Sequence, residues 1–164
     1  MTAAGVRTPL EVARTVFEAV GRRDPDGIVE FGGVDYVDDI VAVGQFRGRD
    51  AIRDFFRATF AAFPDFEMTV DRIVADDSSA VVQWHLSGTF SGGPFLGIRP
   101  TGRRVELRGV DVMDVAGGLI QRNTVYYDGA SFARQIGLLP AQGSRADRSL
   151  VAAFNAATRI RRRR

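Results

Sequence analysis

The N-terminal part of the chain has its apolar residues at the spacing of an amphipathic helix. Thr8 fits the cap position, Pro9 the first helical position and Glu11 the third, which is a common start for a helix. The apolar side chains that follow fall on one face: Leu10, Ala13, Val16, Phe17 and Val20. The pattern predicts a helix with one buried face, followed by a short second helix over roughly Gly27–Phe31.

A second apolar stripe follows a β-branched stretch at residues 34–48, which predicts irregular or strand-like structure. The stripe consists of Ile52, Phe55, Phe56, Thr59, Phe60 and Phe63. It ends at Pro64, because proline cannot continue a helix. We therefore predict another amphipathic helix in front of this proline.

From Glu67 onward the period changes from that of helices to that of strands. Strand-like segments cover residues 66–77, 79–90, 104–116 and 119–128, and turn sequences rich in Asp, Ser and Gly separate them. Helices followed by a run of strands predict an α+β domain in which helices cover one face of a bent antiparallel sheet. Such a sheet leaves a pocket beneath the helices.

Side-chain alternation assigns the strand residues to two faces. Trp84 shares a face with Val82 and Leu86, so we predict that it points inward and that His85 points outward. Asp111 is an aspartate within an apolar strand, on the same face as Met113.

Alternation does not decide which face of that strand lines the pocket. Asp111 is either directed into the pocket or paired on the outer face with Arg108 or Arg122. In the last strand, Asn123 shares a face with Val125 and Tyr127.

Length and composition set the class of protein. The 164 residues, 45% of them apolar, fit a single domain with its own core. Cysteine is absent and there is one histidine, which argues against disulfides and against thiolate or histidine-rich metal sites. The sequence has no long apolar run and no secretory signal at its N-terminus, so we expect a cytoplasmic protein without membrane attachment.

The basic charge is concentrated at the C-terminus. Residues 141–164 hold seven arginines and one acidic residue, while residues 1–140 hold 15 arginines against 19 acidic residues. We expect a domain over residues 1–140 and a C-terminal helix with an arginine-rich tail over 141–164. That helix is a surface helix, a contact for a partner subunit or a lid. Nucleic-acid binding is disfavoured, because the tail lacks interleaved aromatic residues and the rest of the chain is acidic.

Three consecutive stretches resemble one known family. They are "VFEAVGRRDPDGIVEFGGVDYVDD", the segment from "AIRDFFRATFAAFPDFEM" to "HLSGTFSG", and "FLGIRPTGRRVELRGVDVMDVAGGLIQRNTVYYDGASFARQIGLLP". In this order and spacing they are similar to SnoaL-like polyketide cyclases, within the superfamily of nuclear transport factor 2-like folds. The resemblance covers residues 16–140 almost without a gap.

This resemblance implies a cone-shaped domain, a homodimer and an apolar cavity that binds a hydrophobic small molecule. The family's aldol cyclases need no metal or organic cofactor, and relatives open epoxides, form pyran rings, isomerise ketosteroids or hydroxylate aromatic polyketides. The fold therefore does not fix the reaction.

The sequence departs from the family where the cyclases transfer protons. Val125 stands at the position of the acid/base aspartate, and Phe90 stands where many relatives have a histidine. The position of Asp111 carries a histidine that lines the active site in the cyclases, which implies an inward Asp111. Either the proton transfer has moved to another carboxylate, with Asp111 the first candidate and Asp38 the second, or it has been lost.

The predicted function is a cofactor-free cyclase of secondary metabolism that acts on a hydrophobic polyketide-like substrate. The candidate catalytic residues are Asp111, Asp38, Asn123 and Tyr127. The candidate substrate-binding residues are Trp84, Tyr36, Phe17, Phe56, Phe60, Met113 and Val125, with Phe95 and Leu96 from a loop. Two inward carboxylates would favour epoxide opening, by hydrolysis or by cyclic-ether formation, over a single-carboxylate aldol reaction. An outward Asp111 would favour a non-enzymatic ligand-binding module.

Overall fold

A computed structural model describes residues 6–161 of the chain. The helices are α1 (Pro9–Gly21), α2 (Pro25–Ile28), α3 (Gly48–Ala62), α4 (Gly129–Gln135) and α5 (Arg145–Arg161). The strands are β1 (Gly32–Ile40), β2 (Gly44–Arg47), β3 (Glu67–Ala75), β4 (Ser79–Thr89), β5 (Arg104–Ala116) and β6 (Leu119–Tyr127).

Local hydrogen bonds explain where the first helices begin. The hydroxyl of Thr8 accepts a hydrogen bond from the backbone N–H of Glu11, and the Glu11 carboxylate accepts one from the backbone N–H of Thr8, as the sequence predicted. The short second helix lies earlier than predicted. Asp24 caps it by accepting a hydrogen bond from Gly27, so it starts at Pro25 and ends at Ile28.

The six strands form one curved sheet in the order β2-β1-β6-β5-β4-β3. The β-branched segment at residues 34–48 contains most of β1 and all of β2, which form an antiparallel pair at one edge of the sheet. The expectation of an antiparallel sheet is correct for every strand pair but one, because β1 and β6 run parallel. Between β1 and β6 the chain forms β2, α3 and the antiparallel strands β3, β4 and β5. Strand β6 then pairs with β1 and runs in the same direction.

The helices cover one face of the sheet, and the core lies between the two layers. Helix α1 packs on β3, β4 and β5, while α3 packs on β1 and β2. Their buried residues include Val12, Val16 and Phe17 of α1 and Ile52 and Phe60 of α3. This confirms the predicted α+β architecture and leaves a cavity between the helices and the concave face.

Helix α4 begins at a capping aspartate. The carboxylate of Asp128 accepts a hydrogen bond from the backbone N–H of Ser131 at the start of α4. Helix α4 contacts β5, so it adds a further wall beside the sheet.

Helix α5 lies in the C-terminal segment of the chain. Its larger apolar residues are exposed: Leu150, Val151, Phe154 and Ile160. An ion pair of 3.6 Å between Arg134 and Asp147 connects it to α4. Whether α5 contacts a partner subunit remains a prediction, and the arginines at 162–164 lie outside the described residues. No helix within residues 6–161 is long and apolar enough to cross a membrane.

Candidate active site

A cavity opens between the concave face of the sheet and the helices. Counted with its open mouth, it encloses about 980 Å³. Most of the lining is apolar. The polar side chains that line it are Tyr36, Asp38, Thr59, Trp84, Asp111, Asn123 and Tyr127.

Two buried carboxylates share one amide at the bottom of this cavity. The side-chain amide of Asn123 donates one hydrogen bond of 2.7 Å to Asp111 and another of 3.0 Å to Asp38. The three residues are 4%, 7% and 1% exposed, respectively. Because one donor group serves both acids, Asn123 holds two carboxylates next to each other inside an apolar enclosure.

Strand order and register explain why these residues meet. Strand β6 lies between β1 and β5, and Asn123 stands directly opposite Asp38 on β1. On the other side Asn123 pairs with Met113, and Asp111 is two positions further along the same face of β5. The parallel β1–β6 pair, which the sequence did not predict, is therefore what brings Asp38 to the site.

Trp84 fixes the second oxygen of Asp111. Its indole N–H donates a hydrogen bond of 2.7 Å to Asp111 Oδ1. Gly109 stands opposite Trp84 in the β4–β5 register. A Cβ on Gly109 would lie 2.3 Å from the indole ring, so the ring occupies space that a side chain at this position would fill. Glycine at 109 thus allows the contact between Trp84 and Asp111.

Burial changes the proton affinity of both acids. Loss of solvation raises the pKa of Asp38 to about 7, with a further increase from the charge of Asp111 and a partial offset from the Asn123 hydrogen bond. Loss of solvation also raises the pKa of Asp111, to about 6, against the lowering effect of the hydrogen bonds from Asn123 and Trp84. Burial thus raises the pKa of both carboxyls, and because they lie side by side, a charge on Asp111 disfavours ionisation of Asp38.

The two candidate tyrosines occupy different surroundings. Tyr36 is 2% exposed, and burial together with the charges of Asp38 and Asp111 raises its pKa well above the ordinary value. Burial also raises the pKa of Tyr127, whose ring packs edge-on against Phe132 of α4. Tyr36 is the tyrosine on which the charges of the carboxylate pair act, and both hydroxyls keep their protons at neutral pH.

The structure brings most of the predicted residues to the cavity. The lining includes Phe17, Tyr36, Asp38, Phe56, Trp84, Phe95, Asp111, Met113, Asn123, Val125 and Tyr127. The alternative of an outward Asp111 paired with Arg108 or Arg122 is wrong, since Arg122 instead forms an ion pair with Asp39.

Two of the predicted substrate-binding residues lie elsewhere. Phe60 is buried against Phe66 in the core and does not line the cavity. Leu96 is 48% exposed, because it stands at the tip of a tight turn that Phe95 and Ile98 close through backbone hydrogen bonds.

His85 lies on the outer face, as strand alternation predicted. Its side chain is half exposed, and its Nδ1 is 2.7 Å from the carboxylate of Asp71 on β3. The single histidine of the chain therefore does not contribute to the cavity.

Several lining residues were not among the candidates. Leu107 and Val105 share the face of Asp111 by alternation, and Phe55 and Phe63 belong to the predicted helical stripe, so the sequence held a signal for these four. Phe132 reaches the cavity from α4, and no periodic pattern indicated this. Within the described part of the chain, no cluster of three or more His, Asp or Glu residues could hold a metal ion.

Comparison with solved structures gives the same fold. AclR from Streptomyces galilaeus, a candidate hydroxylase, is 21% identical over 93% of this chain and 95% of its own, with a TM-score of 0.69. A candidate SnoaL-like polyketide cyclase from Jannaschia sp. CCS1 is 22% identical over 82% of this chain and 98% of its own, with a TM-score of 0.70. IdmH from Streptomyces antibioticus, a candidate polyketide cyclase, is 24% identical over 80% of this chain and 99% of its own, with a TM-score of 0.65.

These identities show the fold and leave the reaction open. The search of curated proteins gave no match to this sequence. The family model described as "SnoaL-like polyketide cyclase" matches residues 11–136, which include both cavity carboxylates and most of the elements that enclose them. The chain therefore belongs to the family of SnoaL-like polyketide cyclases.

Proposed function

We propose that the protein is an acid/base cyclase that acts on a hydrophobic, polyketide-like substrate without a metal or organic cofactor. The observation that carries this proposal is the pair of buried carboxylates held by Asn123 at the bottom of an apolar cavity. In this proposal the pair takes the place of the acid/base aspartate at whose position the resemblance to the cyclases gives Val125.

In this proposal, the two acids take different roles at neutral pH. Asp111, ionised, removes a proton from the carbon next to a substrate carbonyl. Asp38, still protonated, donates its proton to the oxygen of the carbonyl that the new carbanion attacks, and a carbon–carbon bond closes the ring. Tyr36 donates a hydrogen bond to the developing oxyanion. The proton on Asp111 afterwards exchanges with solvent and Asp38 is reprotonated.

The apolar lining contributes by holding the substrate in a folded conformation. Rings of Phe17, Phe55 and Phe56 from the helices face Met113 and Val125 of the sheet across the cavity. A flexible chain confined between these walls has its reacting carbons close together, which lowers the entropic cost of ring closure. Asn123 acts as a positioning residue, because it fixes the carboxylates that do the chemistry.

The second carboxylate favours one alternative reaction, the opening of an epoxide. In that reaction Asp38 would protonate the epoxide oxygen while Asp111 removes a proton from the attacking hydroxyl or water. Attack by a substrate hydroxyl would form a cyclic ether, and attack by water would form a diol. This candidate requires one protonated and one ionised acid, and the adjacent buried carboxylates favour that state because a charge on one disfavours ionisation of the other.

Proton exchange separates the two reactions without knowledge of the natural substrate. The protein would be incubated in D₂O with a hydrophobic 1,3-diketone that bears an aryl group, and separately with an aryl epoxide. An acid/base cyclase accelerates deuterium uptake at the carbon between the carbonyls, whereas an epoxide-opening enzyme produces diol. If neither rate exceeds that of buffer, the proposed acid/base function is contradicted.

Asn123→Leu is expected to move the pH dependence of the exchange reaction to higher pH. The amide hydrogen bonds lower the pKa of both carboxyls, so their removal raises both values. Asp111 must be ionised to act as a base, so the variant loses most activity near pH 6 and recovers as the pH rises. The measurement is the pH profile of kcat/KM, with Thr124→Val as the control on the opposite face of the same strand. A loss that is equal at every pH would contradict the positioning role.

A further inference from the structure

The carboxylate pair has no positive charge beside it in the cavity. Within residues 6–161, no arginine or histidine lines the cavity. The nearby arginine of β6, Arg122, lies toward the outer face, where it is engaged with Asp39. An ionised carboxylate buried without a cation is costly. The described residues therefore offer no positive charge to compensate an ionised Asp38 or Asp111.

The other groups around the pair are neutral or negative. Strand β1 contributes Tyr36 and, on its outer face, Asp39, whose charge further raises the pKa of Asp38. The indole of β4 and the amide and phenol of β6 are uncharged at neutral pH. The helices contribute apolar side chains and one neutral hydroxyl, that of Thr59 on α3.

Aromatic rings make up much of the remaining wall. The rings of Phe56, Phe55, Phe95 and Phe132 form, in this order, a continuous series of contacts, with successive centroids 5.6 to 6.2 Å apart. The face of an aromatic ring attracts a cation, and this attraction is larger where water is excluded. Rings and carboxylates thus favour the same kind of ligand, an apolar group with a positive charge.

We propose that the cavity binds a hydrophobic ammonium ion, with its positive charge against Asp38 and Asp111 and its apolar part among the phenylalanines. This inference rests on the proposed function in one respect, since it takes the same cavity as the substrate site. It specifies the class of ligand that the cavity binds as a hydrophobic molecule that bears a positively charged amine.

Cation binding and proton binding are linked at this site. A cation stabilises the ionised carboxylates, so it binds more tightly when they are already ionised and releases protons when they are not. With carboxyl pKa values of about 7 and about 6, the affinity for a permanent cation must rise between pH 5 and pH 8. A neutral molecule of the same shape has no such dependence.

The test compares two isosteric ligands that do not titrate in this range. They are 4-(trimethylammonio)benzyl alcohol and 4-tert-butylbenzyl alcohol, and their dissociation constants would be measured by titration calorimetry at pH 5 and pH 8 at equal ionic strength. We expect the ammonium ligand to bind about 10-fold more tightly at pH 8 than at pH 5, and more tightly than the neutral alcohol at pH 8. Equal affinities for the two ligands at pH 8, or no change with pH, would overturn the proposal.

Variants locate the effect in the cavity. The double variant Asp38→Asn/Asp111→Asn should lose the preference for the ammonium ligand and still bind the neutral alcohol, while Asp114→Asn, on the exposed face of β5, should retain it. The preference of the unmodified protein is decisive even if the double variant does not fold. Deuterium exchange with the neutral diketone is independent of ligand charge, so exchange without cation preference would contradict this inference alone.

Discussion

Asp111→Asn is expected to lower the rate of substrate proton exchange by about 100-fold or more. A positioned general base commonly contributes 10²- to 10⁴-fold, and an amide of nearly the same shape cannot accept the proton. Asp111 faces the cavity from β5 and accepts hydrogen bonds from Trp84 and Asn123. The measurement is the initial rate of deuterium uptake by the diketone at pH 7.

Asp114→Asn provides the matched control for this substitution. Asp114 is on the same strand, three residues further along, and its side chain is exposed on the opposite face. It should keep the full exchange rate, and the unfolding temperatures of both variants show whether the fold is intact. Retention of the wild-type rate by a folded Asp111→Asn protein would mean that Asp111 is not the base.

Gly109→Ala is expected to destabilise the protein by about 2–3 kcal/mol, as overpacking of a well-packed site does. The added Cβ would lie 2.3 and 2.4 Å from two atoms of the Trp84 ring and 2.8 Å from the carbonyl oxygen of Tyr126. The ring is 3% exposed and its N–H is bonded to Asp111, so the added Cβ fits only if the ring leaves this position. Its displacement also breaks the hydrogen bond to Asp111, and the exchange rate should fall with stability. Urea unfolding measures the loss of stability.

Gly21→Ala is the comparison for that experiment. A Cβ on Gly21 at the end of α1 would meet nothing within 4 Å. We expect this variant to be unchanged or slightly more stable, because alanine restricts the unfolded chain more than glycine does. If Gly109→Ala were as stable as Gly21→Ala, the packing of Trp84 against Gly109 would not have the role assigned to it.

Strand alternation predicted much of the site from the sequence. It placed Trp84 inward and His85 outward, and it grouped Asn123 with Val125 and Tyr127, because side chains on a strand alternate strictly between two faces. It did not decide the direction of Asp111. An aspartate fits either an exposed face or a polar site within a cavity, and only the surrounding strands distinguish the two.

The contact between Asp38 and Asn123 was beyond sequence reasoning for a different reason. It joins residues 85 positions apart through the parallel pairing of β1 with β6. Local patterns carry no information about which distant strands become neighbours, and the segment around Asp38 had only a weak strand signal. Leu96 shows that an apolar residue need not contact the ligand. Its apolar character suggested such a contact, but the turn around it leaves the side chain exposed.

The most direct test of the carboxylate pair is the pKa of each acid, measured by carboxyl-carbon NMR between pH 3 and pH 9. Asp38→Asn and Asp111→Asn assign the two signals. We predict that Asp111 titrates near pH 6 and Asp38 near pH 7, so that one acid is ionised and the other protonated between these values. Titration of both signals at or below about pH 4, the value of an exposed aspartate, would contradict the buried acid/base pair on which the proposed function depends.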